Sequence, residues 1–97
     1  MLNNAQKKQL KGLASTLKVK YQLGKNEITD SVLDMLNKAI IAHELIKIDL
    51  MKGIAEDKNQ LALDLSMKLK AEVVEVIGNT IVLFKRNKEK PKIQLVK

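Results

Sequence analysis

From Val19 to Met51 the apolar residues change their spacing twice, and this limits the possible folds more than any other feature. Lys18-Val-Lys-Tyr-Gln-Leu23 alternates with period two, the mark of a half-buried strand. From Thr29 to about His43 the period becomes that of a helix. Val32, Leu36, Ala39, Ile40 and His43 make its buried stripe, broadened by Leu33 and Ile41. Leu45-Ile-Lys-Ile-Asp-Leu-Met51 then returns to period two, and Gly53 breaks it. Two strands joined through a helix are expected to lie parallel, with a right-handed crossover.

The flanking segments complete the pattern. Asn3 or Asn4 can cap a first helix running to about Thr16, with Leu10, Leu13, Ala14 and Leu17 on one stripe. Asp57-Lys-Asn-Gln60 has the form of a capping box ahead of a third helix to about Lys70, with Leu61, Leu65 and Leu69 in line. Glu72 to Ile77 and Thr80 to Phe84 read as strands joined by Gly78-Asn79, a pair suited to a two-residue hairpin loop. The order is helix–strand–helix–strand–helix–strand–strand. It predicts an α/β (α+β) fold, a small mixed four-stranded sheet packed with three helices. Residues 1–97 make one domain, of which 87–97 are a basic C-terminal tail whose Ile93-Gln-Leu95 can dock loosely.

Between the first strand and the second helix stands Gly24-Lys25-Asn26. Glycine permits the tight bend, and the helix start beyond it offers free N–H groups to an anion such as phosphate. Such turns are also common where nothing binds. The charge distribution adds weight. Residues 1–25 carry six lysines and no acid, residues 26–84 six lysines against ten acids, and residues 85–97 five lysines and one arginine against Glu89. If the two basic ends meet, they form one positive face on an acidic body, as a polyanion binder would. Otherwise they are solvated ends that aid solubility.

Catalytic chemistry finds little support. The chain has no cysteine and one histidine, so thiolate zinc sites and a His-pair metal site are excluded. His43, on the second-helix stripe, reads as a hydrogen-bonded, partly buried residue, and Met35, Met51 and Met67 as core filler. Gly24-Lys25 lacks the preceding glycine of a P-loop. No metal, cofactor or small-molecule substrate is expected. No apolar run reaches the length of a membrane span, so a cytoplasmic protein with no membrane partner is expected. Tyr21 and Phe84 are the only aromatic residues, too few for a platform that stacks several bases.

The series Gln6-Lys-Lys, Leu10-Lys-Gly-Leu-Ala14, Gln22-Leu-Gly-Lys-Asn26, Glu44-Leu-Ile-Lys-Ile48, Val76-Ile-Gly-Asn-Thr-Ile-Val-Leu-Phe-Lys85 and Pro91-Lys-Ile-Gln-Leu95 resembles the CRM domain. This is the RNA-binding module of YhbY-type bacterial proteins, found also in plant organelle splicing factors. The resemblance covers nearly the whole chain. It implies a fold similar to the C-terminal domain of translation initiation factor three and a role in maturation of the large ribosomal subunit. It also implies RNA contacts from a G-x-x-G loop and nearby basic residues. That loop falls on Gly24-Lys25-Asn26-Glu27, with Glu27 in place of the second glycine, and Phe84 stands where the family often has tyrosine.

The expected function is therefore non-enzymatic binding of structured ribosomal RNA within the pre-ribosomal large subunit, by a monomer. The expected contacts are Lys7, Lys8, Lys11, Lys18, Lys20, Gly24, Lys25, Asn26, Lys85 and Arg86, acting on phosphates. The alternative is a protein-interaction module for an acidic ribosomal or assembly partner.

Overall fold

The computed structural model describes residues 2–17, 21–23, 29–51, 58–87, 89, 93 and 95. Its elements follow the expected order: α1 (Asn4–Ser15), β1 (Tyr21–Leu23), α2 (Asp30–His43), β2 (Leu45–Leu50), α3 (Lys58–Leu69), β3 (Glu72–Ile77) and β4 (Thr80–Phe84). Helix starts are set by short polar side chains. Asn3 Oδ1 accepts from Gln6 N at 2.8 Å while Gln6 Oε1 accepts from Asn3 N at 3.0 Å, a reciprocal capping box. Thr29 Oγ1 accepts from Val32 N at 3.3 Å, and Asp30 in the first turn of α2 favours the positive end of its dipole. Lys18 to Lys20, Gly24 to Ile28, Gly53 and the Asp57 cap lie outside the described residues.

The sheet runs β1-β2-β4-β3. β1 pairs parallel with β2, Tyr21 opposite Ile48 and Leu23 opposite Leu50. β4 pairs antiparallel with both β2 and β3, and a bulge interrupts β3 between Val73 and Glu75. In the two-residue loop after β3, Gly78 takes φ +54°, a region that glycine enters without a Cβ penalty.

Period-two alternation sends successive side chains to opposite faces, and each face has its own core. Ile46, Ile48, Ile81 and Leu83 join Leu36 and Ile40 of α2 and Leu65 and Leu69 of α3. On the other face Leu45, Val74, Val82 and Phe84 join Leu10 and Ala14 of α1, with Leu2, Leu17, Ile93 and Leu95 packed at the margin. The result is three layers: α1, the sheet, and the α2–α3 pair. Buried Phe84 carries no hydroxyl that would need a partner at this depth.

Several expected core positions are corrected. His43 is exposed, and Glu44 is fully buried in its place. The stripe of α2 proceeds in steps of four through Leu36 and Ile40, and the next step is Glu44, not His43. Ile41 is likewise exposed, and Leu13 sits at the edge of its stripe. Met35, Met51 and Met67 are 44%, 52% and 70% exposed and do not fill the core. Met35 and Met67 fall off the buried stripes of α2 and α3, and Met51 follows the last residue of β2.

Candidate nucleic-acid interface

α1 brings the first group of expected contacts together. Its sequence contains lysines and no acid. Burying Leu10 and Ala14 against the sheet turns Lys8 and Lys11 to solvent and leaves Lys7 half-buried. Lys11 Nζ lies 3.8 Å from Glu75 Oε1 of β3, a loose and only partly exposed ion pair. Beneath α1, a hollow lined by Lys11, Ser15, Lys47, Glu75 and Thr80 opens onto the sheet. Lys47 was not among the expected contacts. Its signal was present in β2, where the positions two apart from Leu45 share the α1 side.

Lys18, Lys20, Gly24, Lys25 and Asn26, with Glu27, lie outside the described residues. By chain order they follow directly on α1 and lead into α2.

Lys85 and Arg86 complete the expected set, and here the single positive face divides. Phe84 belongs to the α1-side core, so the alternation of β4 carries Lys85 to the opposite side. There its Nζ donates to Asn37 Oδ1 of α2 at 3.4 Å. Arg86 is exposed and lines a shallow depression with Ile41, Asn87 and Glu89. Lys85 therefore does not share a layer with the α1 lysines.

A second residue that sequence reasoning missed holds the tail. Glu44 is 0% exposed and has φ +64°. Its Oε2 accepts from Asn87 N and its Oε1 from Ile93 N, both at 2.7 Å, while its carbonyl accepts from Lys85 N at 2.8 Å. One buried side chain thus fixes the exit of β4 and seats Ile93 and Leu95 against the α1-side core.

Both aromatic rings are committed to packing. Phe84 is buried, and Tyr21 packs half-buried against the α2–α3 side. Phe84 presents no ring for base stacking, and the partly exposed ring of Tyr21 stands alone, lining a hollow with Leu13, Leu17 and His43. Among the described residues no group of three His, Asp or Glu side chains is placed to hold a metal ion, and no helix is long and apolar enough to cross a membrane.

The chain is similar to known proteins over its whole length. A family model described as the CRS1 / YhbY (CRM) domain matches residues 2–85. The Bacillus subtilis (strain 168) protein named "Probable RNA-binding protein YqeI" is 38% identical over 95 residues, covering 98% of this chain and 99% of that protein. A Haemophilus influenzae protein named "RNA-binding protein" is 38% identical over 94 residues, covering 97% and 94%. The solution structure of the Staphylococcus aureus hypothetical protein SAV1595, assigned a provisional RNA-binding role, superposes with a TM-score of 0.82 at 33% identity, covering 99% of this chain and 100% of that one.

Proposed function

The chain belongs to the CRS1 / YhbY (CRM) domain family, and from that premise we propose that it binds the backbone of structured ribosomal RNA, without catalysis, during assembly of the large subunit. The observation that carries this reading is α1: a helix with lysines and no acid, its apolar side buried and its cationic side turned outward. The relatives are named for RNA binding, and the ribosomal substrate is the reading that the resemblance of the sequence to the CRM domain suggests.

Recognition is of phosphate and shape. Lysine ammonium groups contact phosphates as point charges, and such contacts position a protein on RNA without reading its sequence. The buried state of Phe84, which leaves Tyr21 as the one ring with any exposure, supports this mode over stacking of several bases. The proposed contacts are Lys7, Lys8, Lys11 and Lys47, together with the expected Lys18, Lys20, Gly24, Lys25 and Asn26. The protein acts as a cytoplasmic monomer.

Fluorescence anisotropy with fragments of large-subunit RNA tests the reading. If about five phosphates are neutralised on single-stranded or irregular stretches of that RNA, log K falls with log salt at a slope near −3.5. Lys8→Ala and Lys11→Ala each weaken binding to a similar extent for unrelated structured RNAs. A slope near zero, or equal affinity of both variants and the unaltered protein, overturns it. Binding to an acidic protein with none to RNA would favour a protein-interaction module.

A further inference from the structure

On the side of the sheet away from α1, a hollow of about 350 Å³ lies where α2, the end of α3 and the end of β4 converge. Its lining includes Lys68, Lys70, Lys85, Asn37 and Asp34. From the geometry we infer that this notch is a second phosphate-binding site, so that the domain grips RNA backbone on both sides of its sheet. The inference rests on the RNA-binding reading above and extends it to a separate surface.

Three observations carry it. The first is unbalanced charge. Among the described residues, Lys68, Lys70 and Lys85 form no ion pair, and Lys85 is steadied only by Asn37 Oδ1 at 3.4 Å. The one acid in the lining, Asp34, is already paired with Lys38 Nζ at 3.1 Å. Residues 26–84 hold ten acids against six lysines, so two unpaired lysines of that stretch in one hollow run against the local composition.

The second is the backbone of Lys70. Ala71 N donates to Ser66 O at 2.8 Å and Lys70 N to Met67 O at 3.4 Å, the paired bonds of a Schellman helix end. Lys70 occupies its left-handed position at φ +55°, where glycine is the usual residue. A long cationic side chain there is held against its conformational preference. Outliers of this kind gather at functional positions, and Glu44, at φ +64°, is a second residue of the kind in this fold.

The third is chemistry. Three ammonium groups, two from the end of α3 and one from the exit of β4, stand around an open hollow with a side-chain amide beside them, and suit a phosphate approached from two sides. A competing account makes Lys68 and Lys70 simple counter-charges for the negative end of the α3 dipole. The two accounts differ in what each substitution does.

The probe is a short RNA duplex of arbitrary sequence, titrated into isotope-labelled protein and followed by backbone amide shifts. Saturable shifts are expected at α1 and, separately, around Leu69 to Ala71 and Lys85. The notch shifts should persist in Lys8→Gln/Lys11→Gln and vanish in Lys68→Gln/Lys70→Gln/Lys85→Gln, with the α1 shifts retained. Each phosphate of the duplex left without its lysine should make the salt slope shallower by about 0.9, roughly a tenfold drop in affinity at low salt. Lys70→Gly gives the sharpest separation. Glycine relieves the left-handed strain, so the melting temperature should rise while RNA affinity falls. Shifts confined to α1, with full affinity in the notch variants, overturn the second site and leave the proposed function standing. No shifts on either side overturn both. Notch shifts with polyglutamate but none with RNA overturn the phosphate assignment in favour of an acidic protein partner.

Discussion

Replacing Glu44 should loosen the C-terminal segment and cost more stability than any exposed charge in the molecule. Its carboxylate accepts two backbone N–H groups at 2.7 Å each. Hydrogen bonds to a charged group contribute roughly 1.5–3 kcal/mol apiece. Asn87 and Ile93 are only half-buried, so their amides regain water if the segment lifts. The net loss for Glu44→Ala is then about 2–4 kcal/mol, a large part of the roughly 5–15 kcal/mol available to a domain of this size. It corresponds to a fall in melting temperature of roughly 10–25 °C. Glu44→Gln keeps one acceptor and turns its NH₂ toward the other donor, so its loss is smaller but of the same sign. Glu44→Gly also removes the carboxylate, yet it relieves the +64° φ. It should therefore be more stable than Glu44→Ala by about 0.5–1 kcal/mol. Urea denaturation measures the three variants, and amide exchange at Ile93 reports on the segment directly. A Glu44→Ala protein within about 0.5 kcal/mol of the original, with unchanged exchange at Ile93, would refute the argument.

Two further predictions concern single residues. Gly12 lies exposed within α1 with nothing within 4 Å of where a Cβ would stand, so Gly12→Ala should stabilise the fold by about 0.5–1 kcal/mol; a loss in urea denaturation would contradict this. Glu27→Gln and Glu27→Gly should both tighten RNA binding at low salt. The gain from Gln should shrink as salt rises and the extra gain from Gly should persist. If neither isotherm tightens, the turn at Gly24 to Asn26 is not a phosphate site.

The elements were legible because their signals are local. Asn3 and Gln6 lie within one turn, β2 alternates along its length, and Gly78-Asn79 marks the only tight hairpin loop among the described strands. What is hidden in the sequence depends on distant partners. Glu44 reads as an ordinary polar helix end until Asn87 and Ile93 return to it. The side on which Lys85 emerges was readable in principle, since Phe84 is apolar and alternation carries the next residue across. A count of charge along the chain obscures it, because such a count ignores the sheet's two faces. The bulge at Val73/Glu75 left no trace in a run of valines and glutamates. Without it, β3 would not place both Val74 and Glu75 toward α1.

The two-sided core has a consequence for the order in which a growing chain can fold. α1 is made before every strand, but of its sheet partners only Leu45 comes early, while Val74, Val82 and Phe84 belong to β3 and β4. A helix of 12 residues with a glycine inside it is marginal by itself. Until β4 has left the ribosome, the apolar stripe of Leu10 and Ala14 has only Leu45 of β2 and no completed sheet to cover it. α2, β2 and α3 can gather earlier, around Leu36, Ile40, Ile48 and Leu65. Nascent chains arrested before Thr80 should therefore protect α2 from proteolysis while leaving α1 open to it. The helix that carries the lysines docks fully only once β4 has been made.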